Sequence, residues 1–321
     1  MTDRILDFSQ GAASLSIRNN LLIVKQGGVE VASIPCAEIA AVIISHWEVV
    51  FTQAVLGRLA ESGAAVVICG RSYSPAAMLL PLESHHIQAE RFLRQAAMSA
   101  PRRKQLWQQI VRAKIAAQAS VLEELRNDDH GLRALTKQVR SGDPGNVEAR
   151  AARRYWSVLF GDAPFARADE EDFRNHWLNY GYAVLRAATA RAVCAAGLHP
   201  TFGLAHRNKA NAFALADDLM EPFRPVVDRI VAFNTLRPLD PEAKRLLIGA
   251  VASRYLVDGE CRTLFDILAR LAQSLVRNIM GESKNLALSE WSPVDAVRAV
   301  KKPAIVAEVH SPDDSFRRAA Q

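Results

Sequence analysis

The hydrophobic pattern of this chain changes its period once, near residues 81 to 90. Before that point, short runs rich in Val and Ile are separated by turn signals such as RNN and QGG, which is typical of strands and hairpins. One early stretch, TQAVLGRLAESG, has helical spacing instead, with Thr52 at its N-cap position and Gly63 at its end. After Pro81 and the polar ESHH, long helical periods take over. The sequence therefore predicts an α+β chain, in which a small N-terminal β-rich domain is followed by a larger all-α helical domain.

We place the β-rich domain at residues 1–85, the helical domain at 86–290 and a C-terminal tail at 291–321. The predicted strands of the first domain are SLSIR, LLIVK, VEVASI, AAVIIS and AAVVIC. The predicted helices of the second domain are 87–98, 101–127, 129–141, 146–160, 169–197, 211–233, 240–256 and 262–280. Prolines and mixed charge predict a peripheral tail, for which the alternatives are docking on the helical domain, docking on a partner, or disorder at its end.

Composition excludes several classes of protein. With 321 residues, half of them hydrophobic, the chain can bury a large core. It has no run of about eighteen apolar residues and no signal-like start, so we expect a cytoplasmic protein without a membrane partner. The four cysteines are far apart and form no C-x-x-C pair, which argues against a zinc or disulfide framework.

The net charge of +6 is concentrated in one stretch. Residues 101–160 hold twelve Lys and Arg against six Asp and Glu, whereas the remainder holds 28 of each sign. A phosphate backbone favours such a zone, although a solvated helix face would have the same composition. No zinc-finger, homeodomain or ribonucleoprotein motif indicates reading of base sequence. The candidate DNA-binding residues are Arg102, Arg103, Lys104, Arg150 and Arg154.

A second candidate region is the segment HRNKANAFALADDLMEPFRP, which begins at His206. It combines an imidazole, a lysine, two amides and three acids, the mixture that metal-dependent phosphodiester chemistry requires. Acid clusters also occur on solvated helix faces, so this alternative stays open. Pro222 disfavours helical geometry at Glu221, which predicts a kink or a new helix there.

A third region is NVEARAARRYWSVLF, which reads as a helix capped by Asn146 after the breaker SGDPG. At helical spacing, Glu148 continues an apolar stripe that includes Tyr155 and Leu159. A carboxylate on such a stripe points inward and needs a partner, because an unpaired buried charge is costly. The alternative is a first-turn glutamate that interacts with the helix dipole.

Three motifs together carry a family resemblance: NVEARAARRYW, NYGYAVLRAATARAVCAAGLHPTFGLAH and FALADDLMEPFRPVVD. They resemble the CRISPR adaptation integrases, the Cas-one family that inserts new spacers into CRISPR arrays, and in particular its type II branch. The resemblance spans residues 14 to 290. It implies that Glu148, His206 and Glu221 are catalytic and bind one divalent metal, Mg²⁺ or Mn²⁺.

The residues themselves suggest supporting roles: Asp218, which shares a helical face with Glu221, and Asn211 are expected to support the metal ligands, and Lys209 is expected to bind phosphate. For Asp218 the alternatives are a second ligand or a helix-start carboxylate. The family resemblance implies partners as well. The expected assembly is a homodimer formed through the β domains, joined by a small CRISPR adaptation partner into a heterohexamer. Its expected ligands are double-stranded DNA, as prespacer and as CRISPR repeat.

Two other functions remain compatible with the residues themselves. One is a general metal-dependent nuclease that acts on branched or duplex DNA during repair. The other is a non-catalytic DNA-binding scaffold, which the complete set of Glu148, His206 and Glu221 disfavours.

Overall fold

The computed structural model describes residues 4–70, 75–81, 85–161, 165–169, 171–206, 208, 210–234 and 238–294. The chain divides into two compact units, which meet in sequence between residues 81 and 82. The first unit is mainly β and the second mainly helical, which confirms the predicted α+β class. None of the helices within the described ranges is long and apolar enough to cross a membrane.

In the residues that the structure describes, the first unit contains two four-stranded sheets and one α-helix. Its elements are β1 (Arg4–Phe8), β2 (Ala13–Arg18), β3 (Leu21–Gln26), β4 (Val29–Pro35), β5 (Ile39–Ile44), β6 (Val49–Phe51), α1 (Gln53–Glu61), β7 (Ala65–Cys69) and β8 (Pro75–Leu79). The sheet orders are β4-β3-β2-β6 and β1-β5-β7-β8. One apolar cluster, with side chains such as Leu15, Val24, Val42 and Leu59, is the core of this unit.

Two tight turns fix the register of the β2–β3–β4 meander. Asn19 and Asn20 connect β2 to β3 with φ of 49° and 62°, and Gly27 and Gly28 connect β3 to β4 with φ of 53° and 83°. Two successive positive φ values match the twist of a two-residue hairpin, which is why Asn and Gly occur there. The predicted RNN and QGG turns are therefore confirmed. Thr52 does precede α1, but its side chain makes no capping hydrogen bond.

The second unit is a helical assembly with one small sheet. Its helices are α2 (Gln88–Ala96), α3 (Ala100–Arg126), α4 (Leu132–Thr136), α5 (Val147–Leu159), α6 (Phe173–Ala195), α7 (Ala214–Met220), α8 (Arg224–Phe233), α9 (Pro241–Ala252) and α10 (Leu264–Met280). Its strands are β9 (Arg254–Val257), β10 (Glu260–Thr263) and β11 (Trp291–Pro293), in the order β10-β9-β11.

Helix α6 explains the small residues of the sequence between 181 and 197. A Cβ on Gly181 would lie 2.4 Å from Cγ1 of Val227 in α8. Helices α6 and α8 therefore approach more closely than they could with any residue other than glycine at position 181. The helix ends before Gly197, which adopts φ of 65°, as predicted.

Two helix predictions for this unit were wrong in detail. The predicted helix 240–256 ends at Ala252, because Asp258 and Gly259 form a tight turn, with φ of 51° and 79°, between β9 and β10. The helix predicted for 129–141 covers only Leu132–Thr136. The start of the predicted tail lies on the helical unit, which is one of the alternatives for this segment, since Trp291–Pro293 pairs with β9; residues 295–321 lie outside the described ranges.

Candidate metal centre

Glu148 occupies the first turn of α5, and Asp143 fixes where that helix begins. The Asp143 carboxylate accepts hydrogen bonds from the backbone N–H of Val147 at 3.0 Å and of Glu148 at 2.9 Å. Asn146, the cap predicted from the sequence, has φ of 47° and makes no side-chain capping bond, so that assignment was wrong. Asp143 is buried and holds two of the backbone donors that a helix start leaves unpaired.

Glu221 lies where the backbone changes from one helix to the next. Helix α7 ends at Met220, Glu221–Phe223 form a 3₁₀ turn, and α8 begins at Arg224. This confirms the predicted interruption at Glu221. Its side chain is only 4% exposed, so its charge needs partners within the protein.

Lys114 from α3 supplies the main partner of both glutamates. Its Nζ lies 2.7 Å from Oε1 of Glu148 and 2.7 Å from Oε2 of Glu221. Only the contact to Glu148 has hydrogen-bond geometry, and Oε2 of Glu221 accepts no hydrogen bond although it is buried. We refer to Glu148 and Glu221 as the carboxylate pair.

The second partner of Glu221 is Arg224, whose Nε lies 2.9 Å from Oε1. Burial alone would raise the pKa of Glu221, but the charges of Lys114 and Arg224 outweigh it and hold that pKa below its ordinary value. Burial likewise lowers the pKa of Lys114, and the two glutamates more than reverse this effect. Glu221 and the Lys114 ammonium are therefore both ionised at neutral pH.

His206 is held by Asp218, which is completely buried. Its Nδ1 lies 2.5 Å from Oδ1 of Asp218, while Oδ2 accepts the backbone N–H of Leu204 at 2.5 Å and of Ala205 at 3.0 Å. Gly203 permits this tight loop, because a Cβ there would lie 2.5 Å from the backbone oxygen of His206. With Nδ1 engaged by a carboxylate, Nε2 is the nitrogen that remains for a ligand, the arrangement usual for metal-binding histidines.

The environment of His206 connects it to the carboxylate pair. The hydrogen bond to Asp218 raises the pKa of His206 against the effect of partial burial, and the charges of Asp218, Glu221 and Glu148 raise it further. Its ring packs edge-to-face on Trp107 of α3, with ring centroids 5.7 Å apart. Trp107 and Lys114 are seven residues apart on α3, so one face of this helix serves both parts of the site.

The three predicted ligands fit a hard divalent cation in kind. Two carboxylates and an imidazole are donors that Mg²⁺ and Mn²⁺ accept, and the Lys114 ammonium shows that a cation fits between the carboxylate pair. Across the described ranges, however, no three His, Cys, Asp or Glu side chains are already grouped as a metal would need. The Lys114 ammonium lies between the two carboxylates of the pair, and Nδ1 of His206 is directed to Asp218.

Asn211, the other residue expected to support the ligands, is hydrogen-bonded to Asp217. Its Nδ2 donates to Oδ2 of Asp217 at 2.8 Å, and Oδ1 of Asp217 pairs with Nε of Arg186 at 2.6 Å. Asn211 and Asp217 therefore anchor the start of α7 to α6. Asp218 supports one predicted ligand directly, through its contact with His206.

Behind the site lies a buried aspartate that sequence reasoning missed. Asp228 accepts hydrogen bonds from the hydroxyl groups of Tyr155, at 3.1 Å, and of Tyr182. Burial raises the pKa of Asp228 to about 7, although both hydrogen bonds and the charges of Arg224 and Lys114 lower it. The Arg224 guanidinium also lies over the Tyr182 ring, with its Cζ 4.6 Å from the ring centroid.

The candidate DNA-binding residues are distributed over several surfaces. Arg103 lines a cleft of about 270 Å³ beside His206, and Arg150 lines another of about 600 Å³ together with Lys137 and Arg140. Two candidates have partners within the protein: Arg102 donates to Asn278 at 2.7 Å, and Arg154 donates to the His130 carbonyl at 3.2 Å. Lys104 is exposed. Lys209 lies outside the described residues.

Residues 8–237 match the family model for CRISPR associated protein Cas1. The chain is 43% identical over 293 residues to a CRISPR-associated endonuclease Cas1 of Neisseria meningitidis serogroup C (strain 8013), covering 89% of this chain and 95% of the relative. It is 29% identical over 322 residues to a Cas1 endonuclease of Thermus thermophilus, covering 89% and 99%.

Solved structures with low sequence identity show the same fold. A casposase bound to integration product has a TM-score of 0.72 at 20% identity, covering 89% of this chain and 92% of that one. A Cas1 protein from Thermotoga maritima has a TM-score of 0.70 at 17% identity, covering 87% and 98%. A chain of a Cas6-RT-Cas1–Cas2 complex has a TM-score of 0.70 at 21% identity, covering 92% of this chain but 36% of that one.

Proposed function

Because this chain belongs to the Cas1 family of CRISPR-associated proteins, we propose that it is an integrase and endonuclease of the type II branch. In this proposal it inserts spacer DNA into a CRISPR array by transesterification. The free 3′-hydroxyl of the incoming strand forms the new bond to the target phosphorus, and the bond to the departing 3′-oxygen breaks. The number of phosphodiester bonds is unchanged, and the attacking hydroxyl loses its proton while the departing 3′-oxygen gains one. Because the 3′-hydroxyl attacks the phosphorus directly, no covalent enzyme intermediate is required.

The observation that carries this proposal is the carboxylate pair. Glu148 and Glu221 come from segments 73 residues apart, yet their oxygens lie on one Lys114 ammonium. Bringing two carboxylates together is electrostatically unfavourable unless a cation joins them, so their proximity indicates a cation-binding site. His206, oriented by Asp218, supplies a nitrogen ligand next to them.

In this mechanism, Glu148, Glu221 and His206 would hold the divalent ion. Once bound, Mg²⁺ or Mn²⁺ would neutralise charge on the target phosphate and favour the alkoxide form of the attacking hydroxyl. Asp218 keeps the His206 ring in the tautomer that directs Nε2 outward. Arg103, in the cleft beside His206, is positioned to bind a phosphate of the DNA.

The partners follow from the family membership and from the charge. We propose that double-stranded DNA, as prespacer and as repeat, binds along the basic zone of residues 101–160, and that Lys209 also contacts phosphate. The proposed assembly is a homodimer through the β units, with two dimers joined by a small adaptation partner into a heterohexamer. The similarity to a chain of a Cas6-RT-Cas1–Cas2 complex supports such a partner. A protein that acts on a chromosomal array works in the cytoplasm.

A strand-transfer assay tests the function directly. Wild-type protein with its partner should join a labelled 3′ end to a plasmid that carries a CRISPR repeat, whereas a general repair nuclease would only cut. His206→Ala should abolish joining and leave the melting temperature nearly unchanged, because the side chain is 46% exposed and no cavity forms. A His206→Ala protein that still joins ends at a near wild-type rate would place the metal site elsewhere.

Tyr155→Ala is the control for folding in that assay. Tyr155 is fully buried on the same helix as Glu148, so its truncation should destabilise the protein by about 3 kcal/mol or more. If His206→Ala melts as early as Tyr155→Ala, the histidine is structural and not a ligand.

A binding measurement tests the basic zone. DNA affinity should fall steeply with salt, since each phosphate contact releases counterions. Exchanging Arg102, Arg103 and Lys104 together for Glu should weaken binding to all sequences alike and flatten the salt dependence. An affinity that is insensitive to salt would make this zone a solvated surface.

A further inference from the structure

One lysine of α3 lies where the proposed metal should bind. Lys114 is only 13% exposed, and its Nζ lies 2.7 Å from one oxygen of each member of the carboxylate pair. An exposed lysine gains little from an ion pair, whereas this one lies between two carboxylates and is shielded from water. Its position therefore affects how the pair meets any other cation.

The charges at the carboxylate pair are already balanced. Glu148 and Glu221 contribute two negative charges, and Lys114 and Arg224 contribute two positive ones. A divalent cation added to this set would leave two uncompensated positive charges where water screens poorly. One of the resident cations has to leave its position when the metal binds.

Lys114 is the cation that can leave at lower cost. Arg224 is held by Glu221 and also by the Tyr182 ring, whose centroid lies 4.6 Å from its Cζ. The described polar contacts of the Lys114 ammonium are the carboxylate pair itself. A lysine also has a flexible four-carbon stem, which lets the ammonium move while the helix stays in place.

We propose that Lys114 is a positioning residue that competes with the metal. In the metal-free protein its ammonium holds the carboxylate pair together, and it gives up the same two oxygens when a divalent ion binds. This inference rests on the proposed function, because it requires that the carboxylate pair is the metal site. The ammonium thus keeps the ligands in place at the cost of some metal affinity.

The Lys114 charge affects the stability of the metal-free protein and of the metal-bound protein differently. Removing the Lys114 charge destabilises the metal-free protein, where the two carboxylates then repel each other with only Arg224 left to compensate them. It costs the metal-bound protein less, because there the ammonium no longer pairs with them. Since metal affinity depends on the difference between these states, Lys114→Met should bind metal more tightly.

The test measures Mn²⁺ binding and thermal unfolding of the full chain without DNA. The dissociation constant for Mn²⁺ is obtained from the electron paramagnetic resonance signal of the free ion, and the melting temperature is measured with EDTA and with excess Mn²⁺. We expect Lys114→Met to bind Mn²⁺ about tenfold more tightly, which corresponds to about 1.4 kcal/mol. Lys114→Met should melt at a lower temperature than the wild type in EDTA. Excess Mn²⁺ should raise the melting temperature of Lys114→Met by more than it raises that of the wild type.

Lys284→Met is the matched control, because Lys284 is an exposed lysine of the same unit. It should bind Mn²⁺ and melt as the wild type does. An unchanged or weaker Mn²⁺ affinity of Lys114→Met would overturn the competition. If Glu148→Gln and Glu221→Gln both bind Mn²⁺ as tightly as the wild type, the proposed metal site fails instead, which is a separate result.

A measurement on the wild type avoids any folding defect of the variant. Acylation of lysines by an N-hydroxysuccinimide ester, quantified by mass spectrometry, should label Lys114 slowly in EDTA and faster with Mn²⁺. Lys284 provides the internal reference in the same sample. Equal labelling of Lys114 with and without Mn²⁺ would show that the ammonium stays in place, and would refute the inference.

Discussion

Asp228 should make the stability of the helical unit depend on pH in an unusual direction. It is 1% exposed, and burial raises its pKa from an ordinary 3.8 to about 7. Between these two values, the folded protein holds a proton that the unfolded chain has released. Stability therefore falls as pH rises from about 4 to 7 and stays low above it, which is the opposite of a salt-bridged aspartate.

Exchanging Asp228 for Asn removes the free-energy cost of burying an ionised carboxylate, which lowers stability above pH 7. Asn resembles the protonated carboxyl in shape and keeps an oxygen for one tyrosine hydroxyl and an N–H for the oxygen of the other. The pKa difference of about three units, at 1.36 kcal/mol each, gives a gain of up to about 4 kcal/mol above pH 7. For a unit of this size that is roughly 10 °C in melting temperature.

The assay is thermal unfolding in EDTA between about pH 5 and 8, the range in which Asp228 titrates. Asp228→Asn should exceed the wild type clearly at the upper end and much less at the lower end. Asp258→Asn is the control, since Asp258 is exposed and its substitution should shift both ends alike. If Asp228→Asn melts at or below the wild type at the upper end, the carboxylate is ionised and stabilising, and the reasoning is refuted.

Two further predictions concern helix packing and capping. Gly181→Ala should destabilise the protein by about 1–3 kcal/mol, because the new Cβ meets Val227 at 2.4 Å. Gly249→Ala in α9, which meets nothing within 4 Å, should be neutral or stabilising by up to about 1 kcal/mol; equal melting of the two variants would contradict this. Asp143→Ala should cost about 1–2 kcal/mol of unfolding free energy, measured with urea, through loss of the α5 cap. Asn146→Gly should cost nothing, and a larger loss there would restore Asn146 as the cap.

Local patterns in the sequence were sufficient for most elements of the fold. The helix 146–160, the RNN and QGG turns and the end of α6 at Gly197 each depend on residues a few positions apart. The turn at Asp258 and Gly259 was also visible as an Asp-Gly pair, but the helical period before it was extended too far. The correct predictions and the overextended helix both come from local backbone preferences, which can be read from a single sequence.

The three motifs were also enough to identify the family and to single out three candidate ligands. They did not reveal what surrounds those ligands. Lys114 continues the apolar stripe of α3 seven residues after Trp107, as Glu148 does on α5. A charge on an apolar stripe points inward, so Lys114 could have been predicted to be buried by the argument used for Glu148. Its position in the basic residues 101–160 instead favoured a solvated or DNA-binding role.

The sequence alone determined where most helices and strands occur and which residues are candidates for the chemistry, because both depend on local spacing and on motif. Only the tertiary structure decided the partners of each charge. Glu148, Glu221 and Lys114 belong to three segments, and Asp228 meets Tyr155 and Tyr182 across 73 and 46 residues of chain. Which buried charges are paired depends on how helices pack, and packing joins residues whose spacing along the chain carries no signal.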